Sequence, residues 1–497
     1  PRVVLGRDDA QGGTVSVAMD QIVRHVLVSG TTGSGKTCTM QTFLERLWAE
    51  HHVPFLVLES AKHEYRRLVL RGPEWLRDLR VLTPGNDRLS PVRFNPLEVP
   101  AGCTVEEHAA LVASCFVAAV PTEGPLEALI RKSVRLTYAD AGLRPEALGE
   151  ECARFPRMDD VLRAVRKVLA RQGYVGEVRQ NLQAAVETRV ESLCEDSLGR
   201  LFRCERSSPS LDELIRRPTV VELEGLNGAM NLFALFLLTG LLRRLRSMGP
   251  SRDLRAVIVV EEAHNLIPRQ TSGQVAGAAN AAAEATRLFV RLLAEIRAYG
   301  IGIVVVDQSP SAVAPEVLKN TGTTALHRAA DVEDRDVAVD LTLLGAAGKS
   351  AVSRLAVGQA FVRHDGMAWT ARTIIDRVGG GGEVPLDQQL RSVIGAQEWY
   401  RELAATRTAN DAELLLAELG EFLDATVRGR SISGRAWNAA DGRGVVETVN
   451  EARRKLETLL GALNGRFPGG EANALSAAYR GRFAGLVRAA GAGLVAA

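Results

Sequence analysis

Eight consecutive residues, Gly30-Thr31-Thr32-Gly33-Ser34-Gly35-Lys36-Thr37, constrain the fold of this 497-residue chain more than any other stretch. They match the P-loop pattern G-x-x-x-x-G-K-[ST] at every specified position. Glycine lets the backbone curl so that successive N–H groups turn inward, where a Cβ would clash. The flanks supply the context such a loop needs. His25-Val26-Leu27-Val28-Ser29 is a short apolar strand running into the loop. Over 38–50, apolar residues recur at Met40, Phe43, Leu44 and Leu47, the spacing of a helix that opens on the loop. Strand, glycine loop and helix in this order form a cradle for a polyphosphate at a helix N-terminus. The loop and the first helical residues, Gly30 to Cys38, are the expected nucleotide contacts. Lys36 is expected to place a mobile charge on the phosphates, and the Thr37 hydroxyl to ligate Mg²⁺.

The length predicts two or three domains. A formal net charge of +2 neither demands nor excludes a nucleic-acid partner, so any basic surface has to be local. Six cysteines are scattered with no C-x-x-C pair, which argues against a zinc site and for reduced thiols in the cytoplasm. The longest apolar run, 232–242, is about half the length of a membrane span and continues into Arg243-Arg244, so it reads as a buried helix.

Strand and helix signals alternate over 1–98, with further strands at Phe55-Leu56-Val57-Leu58 and Arg80-Val81-Leu82-Thr83. Short apolar strands separated by helices predict a mostly parallel α/β sheet covered on both faces. Strand signals then stop over 99–217, where 106–120, 126–139, 158–171 and 175–194 read as a helical insertion. The sheet resumes over 218–378, at 219–223, 256–260, 302–306 and 324–327, and ends in an expected hairpin of 359–362 and 369–374. Gly379-Gly380-Gly381-Gly382 reads as a linker, and 379–497 as an all-helical C-terminal module with helices at 411–427, 445–463 and 472–494.

Val257-Ile258-Val259-Val260-Glu261-Glu262 has the form of a Walker B strand, a buried run with two acids at its carboxyl end. Glu261 is expected to hold the water shell of Mg²⁺, and Glu262 to orient or deprotonate the attacking water. Gly300-Ile301-Gly302-Ile303-Val304-Val305-Val306-Asp307-Gln308 is another buried strand, whose Gln308 falls where a γ-phosphate sensor would lie.

With these residues in place, a family resemblance becomes specific. Glu261-Glu262-Ala263-His264-Asn265, Arg297-Ala298-Tyr299-Gly300-Ile301-Gly302 and Asp307-Gln308-Ser309-Pro310-Ser311 resemble the HerA branch of the HerA/FtsK ATPases. So do Leu5-Gly6-Arg7 before the first strand and Glu59-Ser60-Ala61-Lys62-His63-Glu64-Tyr65 after the second. The resemblance covers 3–96 and 216–375. Two features depart from it: Glu261 stands where Asp is commoner, and the small β-barrel that usually precedes the core is not visible. The resemblance implies a homohexameric ring with ATP and Mg²⁺ at subunit interfaces and double-stranded DNA in the pore, working with a separate nuclease or antiviral-defence effector. It also implies an arginine finger acting across the interface, for which Arg297 aligns best and Arg287, Arg291 and Arg328 compete. The stretch 267–277 lacks periodicity and is weakly basic, as a pore loop gripping phosphate backbones would be; an ordinary surface loop reads the same way.

Three functions therefore compete: an ATP-driven DNA translocase, a secretion or conjugation motor, and an ATP-switched ring scaffold for an effector enzyme. No nuclease constellation, triad, zinc finger or helix-turn-helix signature is evident. His63-Glu64 and His264 fall inside the ATPase motifs.

Overall fold

The computed structural model describes residues 1–119, 126–171, 184, 188–269, 276–345, 347–378, 383–427, 442–464 and 470–496. The glycine linker, most of the expected helix 175–194 and residues 270–275 of the expected pore loop lie outside them.

Among the described residues eleven strands form one sheet: β1 (Arg2–Asp8), β2 (Thr14–Ala18), β3 (Val26–Ser29), β4 (Phe55–Glu59), β5 (Arg80–Leu82), β6 (Thr219–Glu222), β7 (Ala256–Glu261), β8 (Ile301–Asp307), β9 (Thr323–Leu326), β10 (Gln359–His364) and β11 (Ala371–Ile375). Their spatial order is β2-β1-β11-β10-β9-β3-β8-β7-β4-β6-β5. The run from β9 to β5 is parallel. Its central strands β3, β4, β6 and β8 are buried at every residue, which requires cover on both faces. This is the mostly parallel, helix-covered sheet that the apolar strand runs predict.

The other end is antiparallel. β10 pairs with β9 and β11, and β1 pairs with both β11 and β2. β1 and β2 escaped the sequence reading. Register slips between Val4 and Gly6, and a Cβ on Gly6 would lie 2.0 Å from the Ile374 carbonyl oxygen. That irregularity breaks the alternation by which a strand is recognised.

Among the described residues, no strand interrupts the insertion. Its helices Val105–Ala119, Leu126–Asp140 and Met158–Arg171 pack in succession. The first of them, Val105–Ala119, packs on Met230–Ser247, whose residues 232–242 are buried as expected, and on Ala276–Ile296. Phe116 meets Phe236 edge to face, with centroids 5.2 Å apart. No described helix is long and apolar enough to cross a membrane.

The chain divides into two compact units, 1–394 and 395–497. Helix Asp387–Ile394, which the sequence places beyond the linker, lies in the first, with Leu390 and Ile394 buried. Among the described residues the second unit has three long helices, Glu398–Val427, Gly442–Asn464 and Gly470–Ala496, around their own core. Leu416, Leu419, Phe422 and Leu423 form one buried stripe that meets Leu456, Leu460, Tyr479 and Phe483.

Candidate functional site

The parallel strands all end at one edge, and the sequence motifs meet there. After β3 the chain passes through Gly30, Gly33 and Gly35 at φ 153°, 75° and 114°. A Cβ on Gly30 would lie 2.5 Å from that of His327, and one on Gly35 would lie 3.0 Å from the Gly358 nitrogen. Both positions therefore need glycine for space as well as for φ. Gly35 begins the helix Lys36–His51 without a side-chain cap, leaving its first amides available to an anion. The loop is braced from outside: Thr31 donates its amide and hydroxyl to the Arg328 carbonyl, at 2.9 and 3.1 Å. Lys36 Nζ folds onto the loop carbonyls of Gly30 (2.5 Å) and Thr31 (3.3 Å). Burial lowers its pKa, while Glu262, Glu261 and Asp307 oppose the shift. Cys38 lies in the first turn of that helix, and one turn on Thr42 donates to the Asp376 carbonyl at 2.7 Å.

Walker B acid Glu261 ends β7, and the Tyr65 hydroxyl donates to its carboxylate. Burial raises the Glu261 pKa to about 7; the Tyr65 bond pulls it down and the neighbouring Glu262 adds to the rise. Glu262 turns out of the strand in the left-handed region (φ 49°). Its Oε1 accepts from Gln308 Nε2 at 2.5 Å and lies 3.6 Å from Lys62 Nζ. Its Oε2 is buried without a hydrogen-bond partner. Thr32 of the loop donates to Gln308 Oε1 at 2.6 Å. One chain of bonds thus runs from the phosphate loop through Gln308 to Glu262. Asp307 joins three strand ends: its carboxylate accepts the His264 amide (2.8 Å) and holds His264 Nδ1 at 3.0 Å, and its carbonyl accepts the Gly30 amide (3.3 Å).

Thr32, Lys36, Thr37, Tyr65, Glu261 and Glu262 line a cavity of about 200 Å³. A more apolar cavity of about 580 Å³ lies between Phe116, Val134, Val165 and Leu232 and contains none of these motif residues. An uncapped helix start, a glycine cradle and a carboxylate oxygen that accepts no hydrogen bond suit a phosphate chain with its divalent cation.

Arg297 sits elsewhere. It begins the turn Arg297–Tyr299 before β8, whereas Gln308 follows the other end of that strand, about 20 Å away. Arg287 pairs with Glu284 at 2.9 Å, and Arg291 lines a cleft with Arg269 and Arg287. Of the four candidate arginines, Arg328 alone adjoins the loop of its own chain.

Sequence reasoning gave no role to Lys62, Tyr65 or Arg67. All three come from the segment after β4, and Tyr65 and Glu261 are 196 residues apart. A usable signal was present: β4, β6 and β7 each end in an acid, Glu59, Glu222 and Glu261, so these three strands carry carboxylates to the same edge.

Residues 3–238 match the family model for the central domain of the helicase HerA. Over those residues the chain is similar to the HerA family. The fold resembles VirB4 of Thermoanaerobacter pseudethanolicus, with TM-score 0.54 and 17% identity over 78% of this chain and 98% of that one. It also resembles the unbound bacterial conjugative coupling protein TrwBdeltaN70 (TM-score 0.52, 11% identity, 74% and 88% of the two chains). A third similar structure is TrwB with the non-hydrolysable GTP analogue GDPNP (TM-score 0.50, 12% identity, 72% and 87%). At these identities the likeness is one of fold. A sequence comparison with curated proteins finds no significant match.

Proposed function

We propose that the protein is a homohexameric motor that hydrolyses ATP with Mg²⁺ to move along double-stranded DNA, and that it serves a separate nuclease or defence effector. The observation that carries the ATPase reading is the bonded path Thr32–Gln308–Glu262. It ties the proposed phosphate loop to a carboxylate with an oxygen that accepts no hydrogen bond. In this reading the loop amides and Lys36 hold the phosphates, and Thr37 and Glu261 hold the cation's shell. Glu262 takes the proton of the attacking water, and Gln308 fixes Glu262 and senses the phosphate. Mg²⁺ supplies positive charge to the phosphate oxygens. The DNA role is supported by the HerA family match. A conjugation-type motor is the second reading, favoured by the fold likeness to the coupling protein TrwB.

The test is ATP turnover with and without linear duplex DNA, combined with particle mass. A hexamer stimulated by duplex DNA and able to displace a bound roadblock supports the motor. A hexamer indifferent to DNA and activated only by a partner protein makes it a scaffold. Stimulation confined to a single-stranded or protein-bound transfer intermediate favours the conjugation reading.

A further inference from the structure

Arg67 lines the phosphate cavity together with Lys36, Thr37, Glu261 and Glu262. It lies on the short 3-10 helix Glu64–Arg71, which carries two other arginines, Arg66 and Arg71, and its bonding differs from theirs. Arg66 donates to both oxygens of Glu222, at 2.5 and 2.7 Å, and to Asp387 at 2.7 Å. Arg71 pairs with Glu45 at 2.9 Å. Arg67 has neither an ion pair nor a hydrogen bond to any described residue, and its Nε is buried without a partner. A guanidinium is always charged, and a buried donor left unmade costs about 1–3 kcal/mol. Such a group is retained where something outside the fold completes it.

The backbone under Arg67 is held in advance. Lys62 and His63 both take left-handed φ, 78° and 50°, as the chain leaves β4. His63 is fastened to Glu222 at 3.2 Å and to Glu224 at 2.5 Å. The Glu64 amide donates to Glu59 Oε1 at 2.6 Å, and Arg66 anchors the next turn. Lys62, the other cation on this side of the cavity, already faces Glu262. Arg67 is the cation left over.

The cavity's size narrows the ligand. About 200 Å³ is below the roughly 300–1,000 Å³ of a pocket that encloses a whole small molecule, and suits phosphate groups with a cation. Its walls are the phosphate loop on one side and the two Walker B acids on another. The part of a nucleotide that reaches from the loop toward those acids is the terminal phosphate. The planar fork of arginine matches phosphate oxygens two at a time.

We propose that Arg67 binds the terminal phosphate of a nucleoside triphosphate held by its own subunit, so that the site discriminates triphosphate from diphosphate before any neighbouring subunit contributes. The proposal rests on the nucleotide-site reading above. Fluorescence titrations with ADP and with a β,γ-imido ATP analogue, both with Mg²⁺, test it on the full chain. Arg67→Gln should weaken the triphosphate analogue about ten- to a hundredfold and leave ADP within about twofold. Arg67→Lys, which keeps the charge, should recover part of the difference. Both ligands are measured on one preparation, so a partly unfolded sample lowers both signals and does not alter their ratio. An unchanged ratio in Arg67→Gln, or an equal loss for both ligands, overturns the assignment. If Lys36→Ala abolishes binding while Arg67→Gln keeps the wild-type ratio, this inference fails and the nucleotide reading stands. A wild-type chain that binds neither nucleotide removes both.

Discussion

Gln308 donates its side-chain N–H to Glu262 at 2.5 Å, although the two residues lie at the ends of different strands. The same amide accepts from Thr32 through its oxygen, so both of its polar ends are engaged. The orientation of the proposed base is therefore set by the loop that would hold the phosphates. A change of phosphate occupancy at Thr32 has a direct route to Glu262.

Removing that link should cost turnover more than binding. Gln308→Ala is expected to lower kcat by roughly 10²-fold, the scale of a lost polar catalytic group, with nucleotide affinity changed only a few-fold. Steady-state kinetics together with equilibrium nucleotide titration check this. A proportionate loss of affinity would reassign Gln308 to ground-state binding.

The two Walker B acids should separate by phenotype. Glu262→Gln should bind ATP·Mg²⁺ yet turn it over roughly 10²- to 10⁴-fold more slowly, since the amide keeps the shape and cannot take a proton. Glu261→Gln should instead raise the Mg²⁺ concentration needed for half-maximal activity. Swapped outcomes would exchange the two roles.

Arg297 starts the turn before β8, so any action on phosphates has to be on those of a neighbouring subunit. Arg297→Ala should preserve assembly and nucleotide binding while cutting hydrolysis roughly 10³-fold or more. In rings mixed with Lys36→Ala subunits, interfaces that pair an intact loop with an intact Arg297 should regain activity. Mixed rings of verified composition that stay inactive would move the finger to another arginine.

His25 gives a pH signature. Its Nε2 donates to the Leu293 carbonyl at 2.8 Å and its Nδ1 accepts the Ile303 amide at 3.0 Å, an arrangement open only to the neutral ring. Burial holds its pKa down at about 4, and His108 and His327 are lowered to about 4 by the same cause. A base depressed in the folded state contributes stability above its unfolded value of 6.5 and loses it as pH falls. Unfolding free energy should therefore decline between pH 6.5 and 4, with a shallower slope in His25→Gln, as chemical denaturation at each pH can measure.

The position of Asp387–Ile394 predicts where the chain can be cut. A chain ending at Ile394 should stay folded and keep basal ATPase, because the compact unit closes there. One ending at Gly380 loses buried Leu390 and Ile394, worth roughly 1.5–3 kcal/mol each, and the Asp387 partner of Arg66. Its Tm should fall by at least several degrees. Equal melting of the two truncated chains would show that this helix adds nothing to the first unit.

The phosphate loop, both Walker B acids and Gln308 were legible because each rests on a local rule: glycine where φ is positive, or a polar residue ending a buried run. The parallel core was legible for the same reason, since Leu56, Val57, Val259 and Val304 sit in runs with no polar alternation. Tyr65 and Arg67 were not, because what they touch or line is supplied by strands far along the chain. β1 was hidden by its Gly6 irregularity, and its pairing with β11 is a long-range choice that no local pattern encodes.

That pairing bears on how the protein is made. On the edge away from β2, Gly6 pairs with Ile375, so β1 leaves the ribosome roughly 370 residues before the strand that receives that edge. At about 5–20 residues per second, β1 and β2 wait on the order of 20–70 s with an unpaired edge. Through that interval the nascent hairpin is open to capture by other chains, and a chaperone that shields it would raise the yield of folded protein.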